Sequence, residues 1–226
     1  MDQDENTAQL TAVCVFVKTP GLSPVKTRLA AGIGQERARR FYELASAAVA
    51  AVVQSSGFLG FWAVAEAAGA ASWRRFPVIL QGEGDLGARL DAVYSTARRQ
   101  APRVLLIGAD APQITAALLR QAGAALAKAP FVLGPAADGG FYLMGGARDI
   151  PREAWLRTPY SARDTAARLM AELSSYGRVA PLATLTDVDE QADLLRLRDE
   201  LLRVEEPLQE QLALLRWLDE GLTRCL

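Results

Sequence analysis

Residues 11–29 read TAVCVFVKTPGLSPVKTRL, and this stretch decides the fold. Its first part, 11–18, is a short Val-rich apolar run, the pattern of a strand buried on both faces. Thr19-Pro20-Gly21 ends that run with turn residues. Lys26 and Arg28 then stand where a helix is expected to begin. A buried strand, a basic loop and a helix are the opening of a βα unit.

The alternation continues outward from this unit. A helix is expected over 34–56, with Phe41, Leu44, Ala45, Ala48, Val49 and Val52 on one face. Strands are expected at 59–65 and 78–80, followed by a glycine-rich stretch, 82–87, and a helix at about 86–100. The segment 103–108 (RVLLIG) reads as another buried strand, with a helix after it at 114–128. Strands follow near 131–134 and 141–145. Ser161 with Asp164 resembles a capping box opening a helix to about 175. A last strand at 178–185 precedes helices at 190–203 and 207–224. Pro207 suits the first position of the final helix, and Leu208, Leu212, Leu215 and Leu222 supply its apolar stripe. The fold class expected is α/β: a Rossmann-like three-layer αβα sandwich with a mostly parallel sheet. Such sheets bind ligands beyond the carboxyl ends of their strands.

The chain has 226 residues, half of them hydrophobic, enough for one large core. The expectation is a single domain over 1–226, with a polar tail at about 1–10 and a C-terminal helix at about 205–226. Charge is nearly balanced, 25 basic against 26 acidic residues, which argues against a dedicated nucleic-acid surface. There is no histidine, so catalysis must rely on carboxylates, Lys, Arg, hydroxyls or an oxygen-held metal. Cys14 and Cys225 form no CxxC pair, and neither a zinc site nor a disulfide framework is suggested. The first nine residues are polar and acidic, unlike a signal peptide, and no run of eighteen apolar residues exists. The cytoplasm is therefore the expected compartment, with no membrane partner.

Five segments carry candidate chemistry. The loop after the first strand contains Lys18, Pro20, Gly21, Lys26, Thr27 and Arg28. Only three Lys occur beside 22 Arg, and two of the three lie in this loop. A compact ammonium suits a phosphate approached as a point charge, whereas Arg suits a planar bidentate grip. The other reading is a solvated basic turn. Asp110 directly follows an apolar strand, where a magnesium-binding carboxylate would sit, although helix capping explains it equally well. Asp187 and Asp189, at i and i+2, point the same way on an extended chain, and a helix cap by Asp189 competes with metal binding. Asp138-Gly139-Gly140 permits close backbone approach to a ligand or a plain hairpin turn. Gly82, Gly84, Asp85, Gly87 and Arg89 could line a base or sugar pocket or form a surface loop; they match neither GxGxxG nor the Walker A pattern.

In order along the chain, Lys18…Pro20…Lys26-Thr27-Arg28-Leu29, Gly82…Gly84-Asp85-Leu86-Gly87…Arg89-Leu90, Gly108…Asp110…Pro112, Pro135…Asp138-Gly139-Gly140…Tyr142-Leu143…Gly145 and Asp187-Val188-Asp189 resemble a bacterial family. It is the glycosyltransferase-A-like transferases, also labelled nucleotide-diphospho-sugar transferases. Phospholactate guanylyltransferases and molybdenum-cofactor nucleotidyltransferases are its relatives. The resemblance covers about residues 12–200. It implies an enzyme that is a magnesium- or manganese-dependent transferase, binding a nucleotide over its first half and a small-molecule acceptor over its second. By resemblance, Lys18, Lys26 and Asp110 are the catalytic residues. The loop residues named above, with Gly82, Asp85, Gly87 and Arg89, bind the nucleotide. Asp138, Gly139, Gly140 and Tyr142 shape the acceptor side, and Asp110 with Asp187 or Asp189 holds the metal. The chain departs from the family pattern at Ser23, at Ala137 and at Pro159-Tyr160-Ser161. Glycosyl transfer is the first reading and nucleotidyl transfer from a triphosphate the alternative. A non-catalytic nucleotide-binding module, or a homodimer through Trp217 and the last helix, are readings of other classes.

Overall fold

The computed structural model describes residues 11–160 and 162–223; side chains of 222 and 223 are not described. Seven strands form one sheet: β1 (Thr11–Val17), β2 (Leu59–Val64), β3 (Val78–Leu80), β4 (Arg103–Gly108), β5 (Phe131–Pro135), β6 (Phe141–Gly146) and β7 (Val179–Pro181). Their order is β3-β2-β1-β4-β6-β5-β7. All pairings are parallel except the two made by β6. The β5–β6 link, residues 136–140, is far too short for a crossover, so β6 must run antiparallel. The α/β class with a mostly parallel sheet is thus the observed one.

The helices are α1 (Thr27–Ile33), α2 (Gln35–Ser56), α3 (Leu86–Arg98), α4 (Ala116–Ala125), α5 (Arg152–Arg157), α6 (Thr165–Ser174), α7 (Asp193–Leu202) and α8 (Gln209–Thr223), with a 3-10 turn at Ala67–Ser72. On one face of the sheet, Val13, Val15, Val17, Leu105, Ile107 and Val132 pack against Val49, Val52 and Val53 of α2 and Leu119 of α4. On the other, Ala12, Cys14, Val104, Leu106, Phe131 and Met144 meet Val93 and Tyr94 of α3, Trp155 of α5 and Leu169 of α6. Strand residues alternate between the two cores, as a two-sided sheet requires.

Several expectations are corrected. Helix α2 has two buried faces rather than one stripe. Val49 and Val52 lie on the sheet, while Ala38, Phe41 and Ala45 pack on α1, α7 and α8. The segment 178–185 forms a ladder only at Val179–Pro181, with one further bridge between Leu185 and Ala136. It is an edge strand, which is why Pro181 is tolerated there. Ser161 lies outside the described residues, and Asp164, the residue before α6, makes no side-chain cap bond. Instead the Thr165 hydroxyl accepts from the Ala162 N–H and donates toward the carbonyls of Pro159 and Ala162. Helix α8 begins at Gln209, two residues past Pro207. Among the described side chains its buried row is Gln211, Leu214 and Leu218, with Leu208, Leu212 and Leu215 partly buried beside it, while the side chain of Leu222 lies outside the described residues. Helix α5 and the 3-10 turn were not expected from the pattern, both being too short to show a period.

Candidate active site

Because β1 to β5 and β7 run parallel, the loops that follow them all emerge at one edge of the sheet. That edge collects the 18–28 loop after β1, Glu66 after β2, 81–89 after β3, Asp110 after β4, the 136–140 turn after β5 and Asp187–Asp189 downstream of β7.

Lys26 lies at the centre. Its ammonium is 2.9 Å from Asp110 Oδ1 and 3.5 Å from Asp189 Oδ1, and it donates to the carbonyl of Val188. Its side chain is only 5% exposed, so this cation is held internally rather than offered to solvent. Burial alone would lower its pKa, but Asp110, Asp187 and Asp189 together outweigh that and raise it. Arg28, largely exposed, pairs with Asp189 Oδ2. The two acid-bearing segments are also stitched by the Val188 N–H donating to the Asp110 carbonyl, 3.2 Å.

The capping alternatives for Asp110 and Asp189 are not what the structure contains. Thr115 caps α4, accepting from the Leu118 N–H at 3.1 Å, so Asp110 is left free for other work. Asp193 accepts from the N–H groups of Asp189 and Glu190, at 3.0 and 2.8 Å, so the turn before α7 is closed without Asp189's carboxylate. Asp138, Asp187 and Asp189 place carboxylate oxygens within 4.8 Å of one another. Asp187's carboxyl is pushed up to about 7 by burial first, then by Asp110, with Lys26 opposing. Its Oδ1 is buried with no hydrogen-bond partner among the described residues. An orphaned buried carboxylate oxygen beside two further carboxylates fits an oxygen-loving divalent cation.

The β5–β6 turn is a hairpin built around Asp138, whose Oδ1 accepts from the Gly140 N–H at 2.8 Å. Gly139 has φ +93°, and a Cβ there would fall 1.8 Å from the Arg163 carbonyl oxygen, so only glycine fits. The hairpin reading is realised, and the structure in addition sets Asp138 beside Asp187 and Asp189, a meeting the sequence reading did not include. Tyr142, by contrast, is buried; its ring packs against Gly134 and its hydroxyl donates to Ala183. It shapes the floor of the hairpin rather than facing the cluster.

In the 18–25 loop the Lys18 ammonium is exposed and forms no ion pair among the described residues. The Tyr42 hydroxyl bridges the Lys18 backbone, 2.8 Å from its nitrogen and 3.0 Å from its carbonyl oxygen. Thr19 donates its N–H to Glu66 at 2.7 Å and accepts from the Trp73 indole at 3.0 Å. Gly21, with φ +90°, and Leu22 form the exposed tip, beside half-buried Pro20. In the 81–89 segment, Asp85 caps α3 by accepting from Ala88 at 2.9 Å, and Arg89 donates to the Gly84 carbonyl. A Cβ at Gly87 would meet the Trp155 carbonyl at 2.6 Å, so this glycine serves helix packing. Gly82 has open space where its Cβ would be. Among the described residues no hydrogen bond or ion pair ties this segment to Asp110, Asp138, Asp187 or Asp189.

The bracing roles of four residues escaped sequence reading. Tyr42 and Glu66 brace the first loop. Gln81 clamps the ends of β1 and β2, donating to Val17 and Ala63 carbonyls at 3.2 and 2.8 Å. Glu200 accepts from Gln113, which also donates to the Thr186 carbonyl, and from the Thr186 hydroxyl. None carries a local signal, because each acts across more than ten residues of chain.

The family described as "Uncharacterized protein conserved in bacteria (DUF2064)" matches residues 43–162, more than half of the chain. The chain belongs to this family. No curated protein matches it. Among solved structures, a candidate nucleotide-diphospho-sugar transferase from Desulfovibrio desulfuricans G20 superimposes with TM-score 0.84 at 22% identity, over 96% of this chain and 98% of that one. Rv0371c from Mycobacterium tuberculosis H37Rv, in complex with manganese, does so with TM-score 0.54 at 20% identity, over 84% and 97%. The 4-diphosphocytidyl-2C-methyl-D-erythritol synthase of Anaerococcus prevotii DSM 20548 gives 0.58 at 10% identity, over 90% and 100%. At these identities the likeness establishes for this family member the fold shared by nucleotide-diphospho-sugar transferases and nucleotidyltransferases.

Proposed function

We propose that the protein is an enzyme, a divalent-metal-dependent transferase acting at the phosphates of a nucleotide. The observation that carries this is the meeting of Lys26, ending the loop after β1, and Arg28, in the first turn of α1, with Asp110, Asp187 and Asp189 at the carboxyl edge of the sheet. Cations and carboxylates are interleaved there, as a metal–polyphosphate ligand requires. The manganese in the complex of Rv0371c, a protein of like fold, supports the metal.

Asp187 and Asp189 with Asp138 would hold the ion, and Asp110 would join them. The all-oxygen donor set suits Mg²⁺ or Mn²⁺. When bound, the ion would neutralise charge developing on the diphosphate. Lys18 in the loop and Arg28 in the first turn of α1, both exposed, would grip the phosphates, and the exposed Gly21 would let the ligand approach the backbone. With no histidine in the chain, the catalytic contribution is electrostatic and positional rather than proton transfer by imidazole. Asp138 at the β5–β6 turn lies on the acceptor side.

Within this class, transfer of a sugar from a nucleotide diphosphate sugar to a small acceptor is the first reading, supported by the extent of the likeness to the Desulfovibrio protein. The exposed Lys18 and Arg28 flanking one loop favour a longer polyphosphate and so sustain the second, nucleotidyl transfer. Phosphorus NMR separates them. Nucleotide sugars and nucleoside triphosphates are each incubated with the protein, Mn²⁺ and candidate acceptors. Release of nucleoside diphosphate from a nucleotide sugar supports the first, and pyrophosphate from a triphosphate the second. If neither forms while nucleotide still binds, the protein is a nucleotide-binding module and the enzyme reading fails.

A further inference from the structure

We infer that Lys26 is the resident counter-cation of the acid cluster, and that a divalent metal must displace its ammonium to bind. The inference rests on the metal reading of the same site. It concerns what this lysine does before a ligand arrives.

The geometry assigns the ammonium three partners, Asp110, Asp189 and the Val188 carbonyl, with its side chain almost wholly buried. Three donors on three acceptors use the full capacity of a lysine. Asp189 is thereby shared between the ammonium and the trio of carboxylates it forms with Asp138 and Asp187. A dication entering that trio stands beside the ammonium on the same carboxylate, and two such charges repel strongly in a partly buried site. The lysine can leave because it is the last residue before α1, on a loop whose neighbours hold it loosely, Pro24 being exposed and Val25 only partly buried. Its own backbone, at φ 49° and ψ 45°, is in the left-handed region disfavoured for a side chain of this kind. The freed ammonium then swings toward the loop carrying Lys18, where an anionic ligand would meet it. Metal and polyphosphate would therefore favour each other's binding through one side chain, since either one, by engaging its partner, removes the competition for the other.

The chain has only three lysines, and Lys18 and Lys128 are exposed, so amine acylation followed by peptide mass spectrometry reads Lys26 against two internal references. In the metal-free protein Lys26 is expected to be protected; saturating Mn²⁺ alone should raise its labelling toward that of Lys18. In parallel, Mn²⁺ affinity is measured by calorimetry on wild type, Lys26→Met and Arg28→Met. Lys26→Met should tighten Mn²⁺ binding by about tenfold or more, because a buried competitor is removed. Arg28→Met, which removes an exposed charge from the same cluster, should change it far less. Should Lys26→Met fail to fold, the wild-type labelling decides. Lys26 remaining protected in Mn²⁺-saturated wild type, or Lys26→Met binding no tighter than Arg28→Met, would overturn the displacement while leaving the metal reading intact. No Mn²⁺ binding by any folded form would overturn the metal reading and the displacement with it.

Discussion

At the residue scale, Asp187 sets a measurable pH dependence. Its carboxyl is raised from 3.8 to about 7 by burial, Asp110 and Asp189, so it is largely protonated below neutrality. A divalent cation binds the carboxylate, so Mn²⁺ affinity should rise as pH climbs through about 7 and level off above it. Asp187→Asn should flatten that profile in a titration from pH 5.5 to 8.5. The stability of the metal-free protein has the opposite sign. The folded pKa lies above the unfolded one, so Asp187 costs nothing below about 3.8, and stability is lost as pH rises from there to about 7. Metal-free wild type should therefore lose melting temperature between pH 5 and 7 relative to Asp187→Asn. Asp110→Ala leaves the fold's hydrophobic contacts untouched but removes Lys26's nearest carboxylate. It should lower turnover by at least about a hundredfold, as loss of one site electrostatic group commonly does. Full metal-dependent activity in that variant would remove Asp110 from the site.

At the element scale, the glycine-rich segment before α3 separates capping from ligand contact. Asp85 caps α3, so Asp85→Ala should cost about 1 kcal/mol in chemical denaturation. Nucleotide affinity should stay within twofold; a larger loss would make Asp85 a ligand contact as well. The β5–β6 hairpin is a stricter case. Gly139→Ala drives a Cβ into the Arg163 carbonyl at positive φ, and should destabilise by on the order of 1–3 kcal/mol. The same change should weaken Mn²⁺ binding, because it shifts the turn that holds Asp138. The 22-residue α2 was readable because its period persists over many residues, and the short β4 because a continuous apolar run ended by turn residues marks a buried strand. The six-residue α5 and the start of α6 were not, because a single turn carries no period and Thr165 closes its helix through contacts a pattern does not encode.

At the scale of the whole molecule, α7 and α8 complete the site from behind. Gln211 of α8 donates to the carbonyls of Pro112 and Ile114, at 2.9 and 3.0 Å, and Glu200 of α7 ties Gln113 to Thr186. The β4–α4 loop bearing Asp110 and the strip bearing Asp187 are thus held by the C-terminal helices. Trp217 packs within the chain, its ring 6.0 Å from Phe41 and under the Arg37 guanidinium. Truncation after Glu206 should therefore lower thermal stability and Mn²⁺ affinity together, read by calorimetry. Intact melting with loss only of an oligomer would instead make α8 an interface.

The sequence alone determined the layered α/β architecture, because buried parallel strands and their helices impose hydrophobic patterns that no distant contact alters. It also marked Lys18, Lys26, Asp110, Asp138, Asp187 and Asp189 as unusual by type and position. Only the tertiary structure decided which of them meet. Asp138 joins Asp187 and Asp189, Lys26 is buried among acids more than 80 residues away, and Tyr142, Asp85 and Gly87 turn to packing or capping. The reason is physical: a carboxylate's partner is set by the register of strands and the ends at which their loops emerge, and that is a property of the sheet rather than of any local stretch of chain.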